Sequence, residues 1–243
     1  MREQFETLLC KQVQSFGIEL SKRQVEQFYQ YFELLTEWNK VMNLTAITQM
    51  EEVVSKHFAD SLSLVKLLPQ IREGNLRVID VGTGAGFPGL PLKIAFPELS
   101  IVLLDSLNKR IRFLQEVSDT LGLRDVTAVH GRAEDFGRNL QYREQFDCCV
   151  SRAVANLSTL SEYCLPFVKV GGSFVAYKSG KVEEELKESK KALHLLSAHV
   201  EKTEAFVLPD TDAERILVQI QKEAKLAKKY PRKAGLPAKE PLG

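Results

Sequence analysis

Val78-Ile79-Asp80-Val81-Gly82-Thr83-Gly84-Ala85-Gly86-Phe87-Pro88-Gly89 is the stretch that decides how the rest of the chain is read. An apolar run ends in an aspartate and a valine, glycines then recur at alternate positions, and a proline opens the next segment. Glycine lets a backbone turn sharply and approach a ligand with no Cβ in the way. Proline suits a helix start, where its missing N–H would have no partner. The pattern predicts strand, glycine turn and helix. In an open parallel sheet, such a turn lies beside a ligand at the carboxyl ends of the strands.

Downstream, short apolar runs alternate with helical segments. Strands are predicted at 76–82, 100–105, 126–131, 146–152 and 172–178, with helices at about 88–96, 107–121, 156–168 and 181–197. Continuous apolar strands separated by helices imply a parallel sheet covered on both faces. Two further runs, 201–208 and 215–222, flank a turn at Pro209-Asp210 and predict an antiparallel hairpin closing that sheet. Upstream, residues 1 to about 68 read as helices. Ser21 with Gln24 forms a capping-box pattern, and Thr48 opens a second, TQME, with NKVMNLTAIT (39–48) as the connection. The expected organisation is a helical extension over 1–70, packed on an α/β core over 71–222, and a basic tail over 223–243.

Composition narrows the classes. The 243 residues are 44% hydrophobic and 27% charged, ordinary globular values that exclude collagen-like, coiled-coil and fully disordered chains. No apolar stretch approaches the ~18 residues of a membrane span, so no membrane partner is expected. MREQFETLLCKQ lacks the layout of a signal peptide. Cys10, Cys148, Cys149 and Cys164 make no CxxC pair, and His130, His194 and His199 have no ligand spacing. A cytoplasmic chain with reduced thiols and no metal is therefore expected. Net charge is only +1, but it is unevenly placed. Lys222, Lys225, Lys228, Lys229, Arg232, Lys233 and Lys239 face only Glu223 and Glu240, a surplus of five over 222–243 against a deficit of four before it. Such a tail suits either an anionic partner or a solvated terminus.

Two nucleotide cofactors compete for the glycine turn. Gly84-Ala85-Gly86-Phe87-Pro88-Gly89 matches the dinucleotide GxGxxG, with Asp105 at a suitable distance, which would make an NAD-binding oxidoreductase. That fingerprint should begin at the strand end, however, and Gly84 lies four residues past Asp80. Asp80, Gly82, Gly84 and Gly86 instead resemble the first motif of class I S-adenosylmethionine-dependent methyltransferases, a Rossmann-like fold whose mostly parallel seven-stranded sheet also ends in a hairpin. Asp105 closes the second strand, where a carboxylate can accept both ribose hydroxyls or cap the following helix. The turn at Arg132-Ala133-Glu134-Asp135 would lie against the adenine in that fold, or be a solvated acidic turn.

Further segments extend the resemblance. NLTAI (43–47), KHFADSL (56–62), DVGTGAGFPGLPL (80–92), LLDSLNKRIRFL (103–114), RAEDF (132–136) and FDCCVSRAVA (146–155) occur in this order. Together they resemble the bacterial RsmG (GidB) family over nearly the whole chain, and KKYPRKAGLPAKEPLG is similar to the tail of its Gram-positive members. The resemblance implies methyl transfer from S-adenosyl-L-methionine to N7 of guanine 527 in 16S rRNA, with that RNA or the small ribosomal subunit as partner. It implies cofactor contacts at Gly82, Phe87, Ala133, Glu134 and Arg152. Phe87 could equally be a staple at the helix entry, and Arg152 a structural partner of Glu134 or Asp80. A small-molecule methyltransferase is the other reading of the same core, and a monomer is favoured.

The expected chemistry is sparing. Guanine N7 already presents an unshared pair, so attack on a sulfonium methyl needs no general base and rests on alignment. Ser151-Arg152-Ala153-Val154 stands where amine methylators of this fold carry an Asn/Asp-Pro-Pro-Tyr/Phe motif. Cys148 and Cys149 sit inside the fourth strand, placed as small hydrophobes rather than nucleophiles. A cation near the base should reach O6 or phosphate and leave N7 free, which nominates Arg152 and Lys178, the latter alternatively a solvated strand-end lysine. For RNA, the candidates are His57, otherwise a packing histidine; Lys109, Arg110 and Arg112, otherwise a solvated helix face; and Lys228, Lys229, Arg232 and Lys233.

Overall fold

The computed structural model describes residues 1–152, 155–180 and 182–243. Ala153 and Val154 of the Ser-Arg-Ala-Val stretch, and Lys181 at the start of the expected helix 181–197, lie outside them. The chain begins with α1 (Arg2–Gln14) and α2 (Lys22–Met42), then α3 (Met50–Val53), a π-helical turn (Val54–Ala59) and α4 (Asp60–Leu62). The core comprises, in order, β1 (Arg77–Val81), α5 (Gly89–Ala95), β2 (Ser100–Asp105), α6 (Asn108–Thr120), β3 (Val126–His130) and α7 (Ala133–Phe136). It continues with β4 (Phe146–Ser151), α8 (Leu157–Cys164), β5 (Val168–Lys178), α9 (Glu183–Glu188), α10 (Lys190–Leu195), β6 (Ala198–Val207) and β7 (Glu214–Lys222), before α11 (Leu236–Lys239).

The strands form one seven-stranded sheet in the order β3-β2-β1-β4-β5-β7-β6. β3, β2, β1, β4 and β5 run parallel, and β7 is antiparallel to both β5 and β6. This is the class I methyltransferase arrangement expected from the alternation of apolar runs and the terminal hairpin. Chain order reverses direction between β1 and its neighbour β4, which opens a crevice at their carboxyl ends.

Local chemistry adjusts several boundaries. The Ser21 capping box forms as expected, its hydroxyl taking the Gln24 amide while Gln24 Oε1 takes the Ser21 amide. The Thr48 box does not form. α2 runs on through Asn39–Met42 until Asn43 adopts a left-handed φ of 48°, and α3 is capped by Gln49 without a side-chain bond. The connection is therefore 43–49, and its Thr45 instead accepts the Ile47 amide. α8 ends at Cys164, and a 3₁₀ turn over Leu165–Phe167 carries Pro166, which has no N–H for an α-helical bond. The predicted helix 181–197 divides at Ser189.

Each face of the sheet carries its own core. On one side Phe5, Phe28, Tyr31 and Phe58 of the N-terminal helices join Leu90 and Phe113 of α5 and α6 in a continuous buried cluster. Phe28 and Phe58 meet edge-on at 5.1 Å. The other side buries Leu157, Leu160 and Leu193 together with Leu226 and Tyr230 of the C-terminal segment.

That last contact shows that the basic tail is not wholly a solvated terminus, since Leu226 and Tyr230 pack on the core. Lys222 ends β7 fully buried, its ammonium bonded to Glu144 at 2.8 Å and to the carbonyls of Leu165 and Val168. Arg232 is likewise engaged within the protein. Its Nε and Nη2 fork onto Glu162 at 3.0 and 2.7 Å, and its amide donates to the same carboxylate. Glu162 has no exposed surface, so this pair satisfies a buried charge rather than advertising one. Lys228, Lys229 and Lys233 stay exposed. Arg232→Ala should therefore cost about 3–5 kcal/mol, because it strands a buried carboxylate. Denaturant unfolding measures this, and a loss no greater than that of a surface lysine would show the latch to be dispensable.

Candidate functional site

A cleft of about 920 Å³ opens at the carboxyl ends of β1, β4 and β5. Gly82, Thr83, Gly84 and Ala85 of the glycine turn form one wall, and Leu44, Thr45 and Ile47 of the NLTAI loop line it too. His57, Asp60, Phe87, Arg152, Lys178 and Arg215 also face it. The turn needs its glycines: Gly82, Gly84 and Gly86 have φ of 73°, 61° and 98°, values that side-chain-bearing residues avoid. A Cβ on Gly86 would strike Leu90, Leu114 and Tyr31, whereas one on Gly84 would meet nothing within 4 Å. The turn is packed beneath and open on the cleft side.

Two carboxylates brace it. Asp80 is buried, and its Oδ2 accepts from the Thr83 hydroxyl at 2.7 Å and the Gly89 amide at 2.9 Å, while Oδ1 has no partner among the described residues. Burial pushes its carboxyl up to about 7, against the pull of those donors. Asp105 accepts from the amides of Gly84 and Leu107, both at 2.9 Å, and from Arg110 at 3.1 Å. Asp105 is therefore not the cap of α6, whose N-cap is Leu107 without a side-chain bond; it holds the Leu107 amide and the glycine turn instead, and Arg110 covers it on the cleft side. Neither aspartate lines the cleft itself, and neither do Ala133 or Glu134. The Glu134 carboxylate takes the Gly235 amide at 2.7 Å, so the C-terminal segment reaches the turn after β3.

The opposite side of the cleft is built from charge pairs. Arg152 donates to Asp60 at 2.9 Å and to the Lys56 carbonyl at 3.0 Å, and its guanidinium lies 5.1 Å from the centre of the Phe87 ring. Its partner is thus Asp60, neither Glu134 nor Asp80. Asp60 also accepts from Arg215 at 3.1 Å. Sequence reasoning singled out neither Asp60 nor Arg215, although Asp60 lies inside the quoted KHFADSL motif. His57 stacks on Phe87 with ring centres 4.4 Å apart, and its Nε2 lies 2.9 Å from the Thr45 hydroxyl. Burial, and then the Arg152 charge, lower its basicity to about 3, so the ring is neutral at physiological pH. Lys178 is a bonded strand-end lysine rather than a solvated one: it donates to the Ala155 carbonyl at 2.6 Å and to Glu185 at 2.7 Å. Lys109, Arg110 and Arg112 lie on α6, with Lys109 and Arg112 exposed.

Comparison with known proteins identifies the architecture. Residues 24–215 match the family described as GidB, rRNA small subunit methyltransferase G. The ribosomal RNA small subunit methyltransferase G of Lachnoclostridium phytofermentans is 56% identical over 230 residues, covering 95% of this chain and 94% of that one. That of Brevibacillus brevis is 51% identical over 243 residues, covering 99% of each. The chain belongs to the GidB family.

Solved structures share the fold at low identity. TrmN from Thermus thermophilus has a TM-score of 0.51 at 15% identity, covering 70% of this chain and 53% of that one. M. jannaschii TYW2 in complex with AdoMet scores 0.50 at 12%, covering 66% and 76%. S-adenosylmethionine is the methyl donor of this GidB-family chain, which closes the NAD reading of the glycine turn. The glycine turn fits it, since its cleft side is open enough to admit a nucleoside. Among the described residues no helix is long and apolar enough to cross a membrane.

Two outcomes are expected from this geometry. Asp105→Ala should weaken S-adenosylmethionine binding about tenfold or more in calorimetry, since the Gly84 anchor of the glycine turn goes; unchanged affinity would show that the turn does not need that anchor. His57 gives a pH signature. Above its ordinary value of 6.5 it is neutral whether folded or unfolded, so it adds no pH dependence there. As pH falls from 6.5 toward about 3, only the unfolded chain gains the proton, and stability is lost. His57→Gln should therefore show a shallower acid-side decline in unfolding free energy than wild type; superimposable slopes would contradict a buried neutral ring.

Proposed function

We propose that this chain methylates N7 of guanine 527 in 16S rRNA, on the small ribosomal subunit in the cytoplasm. One observation carries the choice of nucleophile: the acid–base groups around the cleft are already engaged. His57 is neutral with a basicity far below physiological pH. Asp60 is shared by two arginines, and Glu185 holds Lys178 and the Leu157 amide. A nucleophile that must lose a proton finds no ready acceptor there, whereas guanine N7 needs none. Cytosine-C5 chemistry is disfavoured because Cys148 is buried in β4 and burial pushes its thiol up to about 12.

S-adenosylmethionine supplies an electrophilic methyl on a sulfonium centre. The protein then has to hold base and donor in line and keep N7 unencumbered. Lys178, with two of its three protons committed within the protein, can give the third to guanine O6. Arg152 is held by Asp60 against Phe87, where it can face the strand's phosphate instead of N7. Exposed Lys109, Arg112, Lys228, Lys229 and Lys233, with Arg110 beside Asp105, would receive backbone phosphates, which give affinity more than sequence choice. The relatives' shared name, small-subunit rRNA methyltransferase, supports the RNA substrate over a small molecule.

Labelled-methyl transfer to undermodified 30S subunits, naked 16S rRNA and small molecules, followed by base mapping, tests the assignment. Label should appear at guanine 527, and product at another base or only on a small molecule would defeat it. Lys178→Ala should lower kcat by on the order of 10²-fold through misalignment, with little change in S-adenosylmethionine affinity.

A further inference from the structure

Asp60 joins three parts of the fold that are distant in sequence. It stands at the start of α4, directly after the π-helical turn Val54–Ala59. Its two oxygens divide between Arg152 at the end of β4 and Arg215 in β7, at 2.9 and 3.1 Å. The carboxylate is 2% exposed, and the two arginine side chains are 18% and 19% exposed and line the cleft. One carboxylate cannot neutralise two guanidiniums, so a full positive charge is left over in a half-buried place. Arg215 spends Nε on Asp60 and Nη1 on the Glu214 carbonyl; its Nη2 has no partner among the described residues.

We propose that Arg152 and Arg215, held together by Asp60, form a receptor for one phosphodiester of the RNA strand entering the cleft. This rests on the reading that the substrate is RNA. A planar guanidinium matches the paired oxygens of phosphate, and a desolvated pair of them binds an oxyanion far better than a solvated lysine does. The donor's own carboxylate is the competing oxyanion, and position decides against it. Arg215 precedes Ile216, which pairs with Lys178 of β5. It therefore lies two strands beyond β4, on the far side from the glycine turn and Asp105. An anion there belongs to the molecule being methylated. Asp60 is then a positioning residue, acting through the two arginines.

Arg215→Ala and Arg215→Lys in the full-length protein test this. Asp60 keeps Arg152 in both, and thermal unfolding verifies that they fold. For Arg215→Ala, affinity for undermodified 30S subunits at low salt should fall about tenfold. The slope of log affinity against log salt should become shallower by about 0.7, the value for one phosphate on a single strand. S-adenosylmethionine affinity should stay within twofold. Arg215→Lys should keep the wild-type slope with intermediate affinity, because it retains the charge and loses the fork. An Arg215→Ala variant with unaltered affinity and slope overturns the receptor while wild-type methyl transfer still upholds the RNA reading. Loss of S-adenosylmethionine affinity with the salt slope intact assigns the arginines to the donor's carboxylate and overturns it too. A wild-type enzyme that methylates no RNA defeats both readings.

Discussion

The buried Asp80 carboxylate is the constraint on which the site depends. Through one oxygen it ties Thr83 to Gly89, so the glycine turn is closed upon the strand that precedes it. Asp105, from the neighbouring strand, fixes Gly84 from the other side. Between the two anchors the backbone cannot rise into the cleft. Beneath it, the Tyr31 hydroxyl donates to the Ala85 carbonyl and leaves no room for a side chain at Gly86. The cofactor wall is thus made jointly by the α/β core and by α2, a helix outside that core. The N-terminal helices and the residues beneath the glycine turn share one buried cluster.

The same helices decide the chemistry on the opposite wall. A π-helical turn is rare and is frequently found at functional sites. Here it precedes Asp60 and contains His57, and both side chains face the cleft. His57 against Phe87 gives a flat, neutral surface, and Asp60 gives a charged clamp. Binding surface and charge are thereby separated within a few residues of one segment. Such an arrangement suits a reaction governed by alignment rather than proton transfer.

Much of the fold could be read from periodicity because strand alternation and glycine turns are local properties. β2 matched its predicted bounds, and the glycine turn led to the crevice. What escaped reading was non-local. Arg152 and Asp60 are 92 residues apart, and Arg215 and Asp60 are 155, so no window of sequence contains either pair. Arg232 looked like one more base in a basic segment because its partner, Glu162, lies 70 residues earlier. The Thr48 box meets a local competitor instead: Asn39 bonds both the amide and the carbonyl of Thr45, six residues away. Capping patterns state a preference, and another bond of similar strength can override it.

Charge placement is where the two kinds of reading meet. A near-zero total, 33 bases against 32 acids, says little about partners. Within the fold, Lys222 and Arg232 are consumed by Glu144 and Glu162, so the tail's free charge is smaller than its composition implies. The Asp60 cluster does the reverse, holding two guanidiniums on one carboxylate at the cleft wall. Steering by exposed lysines decays within a Debye length of about 8 Å at physiological salt, whereas partly buried charges are screened much less. An anionic strand can therefore be gathered by the lysines of α6 and the tail, yet its final register should be set at the cluster, where the surplus charge is shielded from salt and fixed in direction.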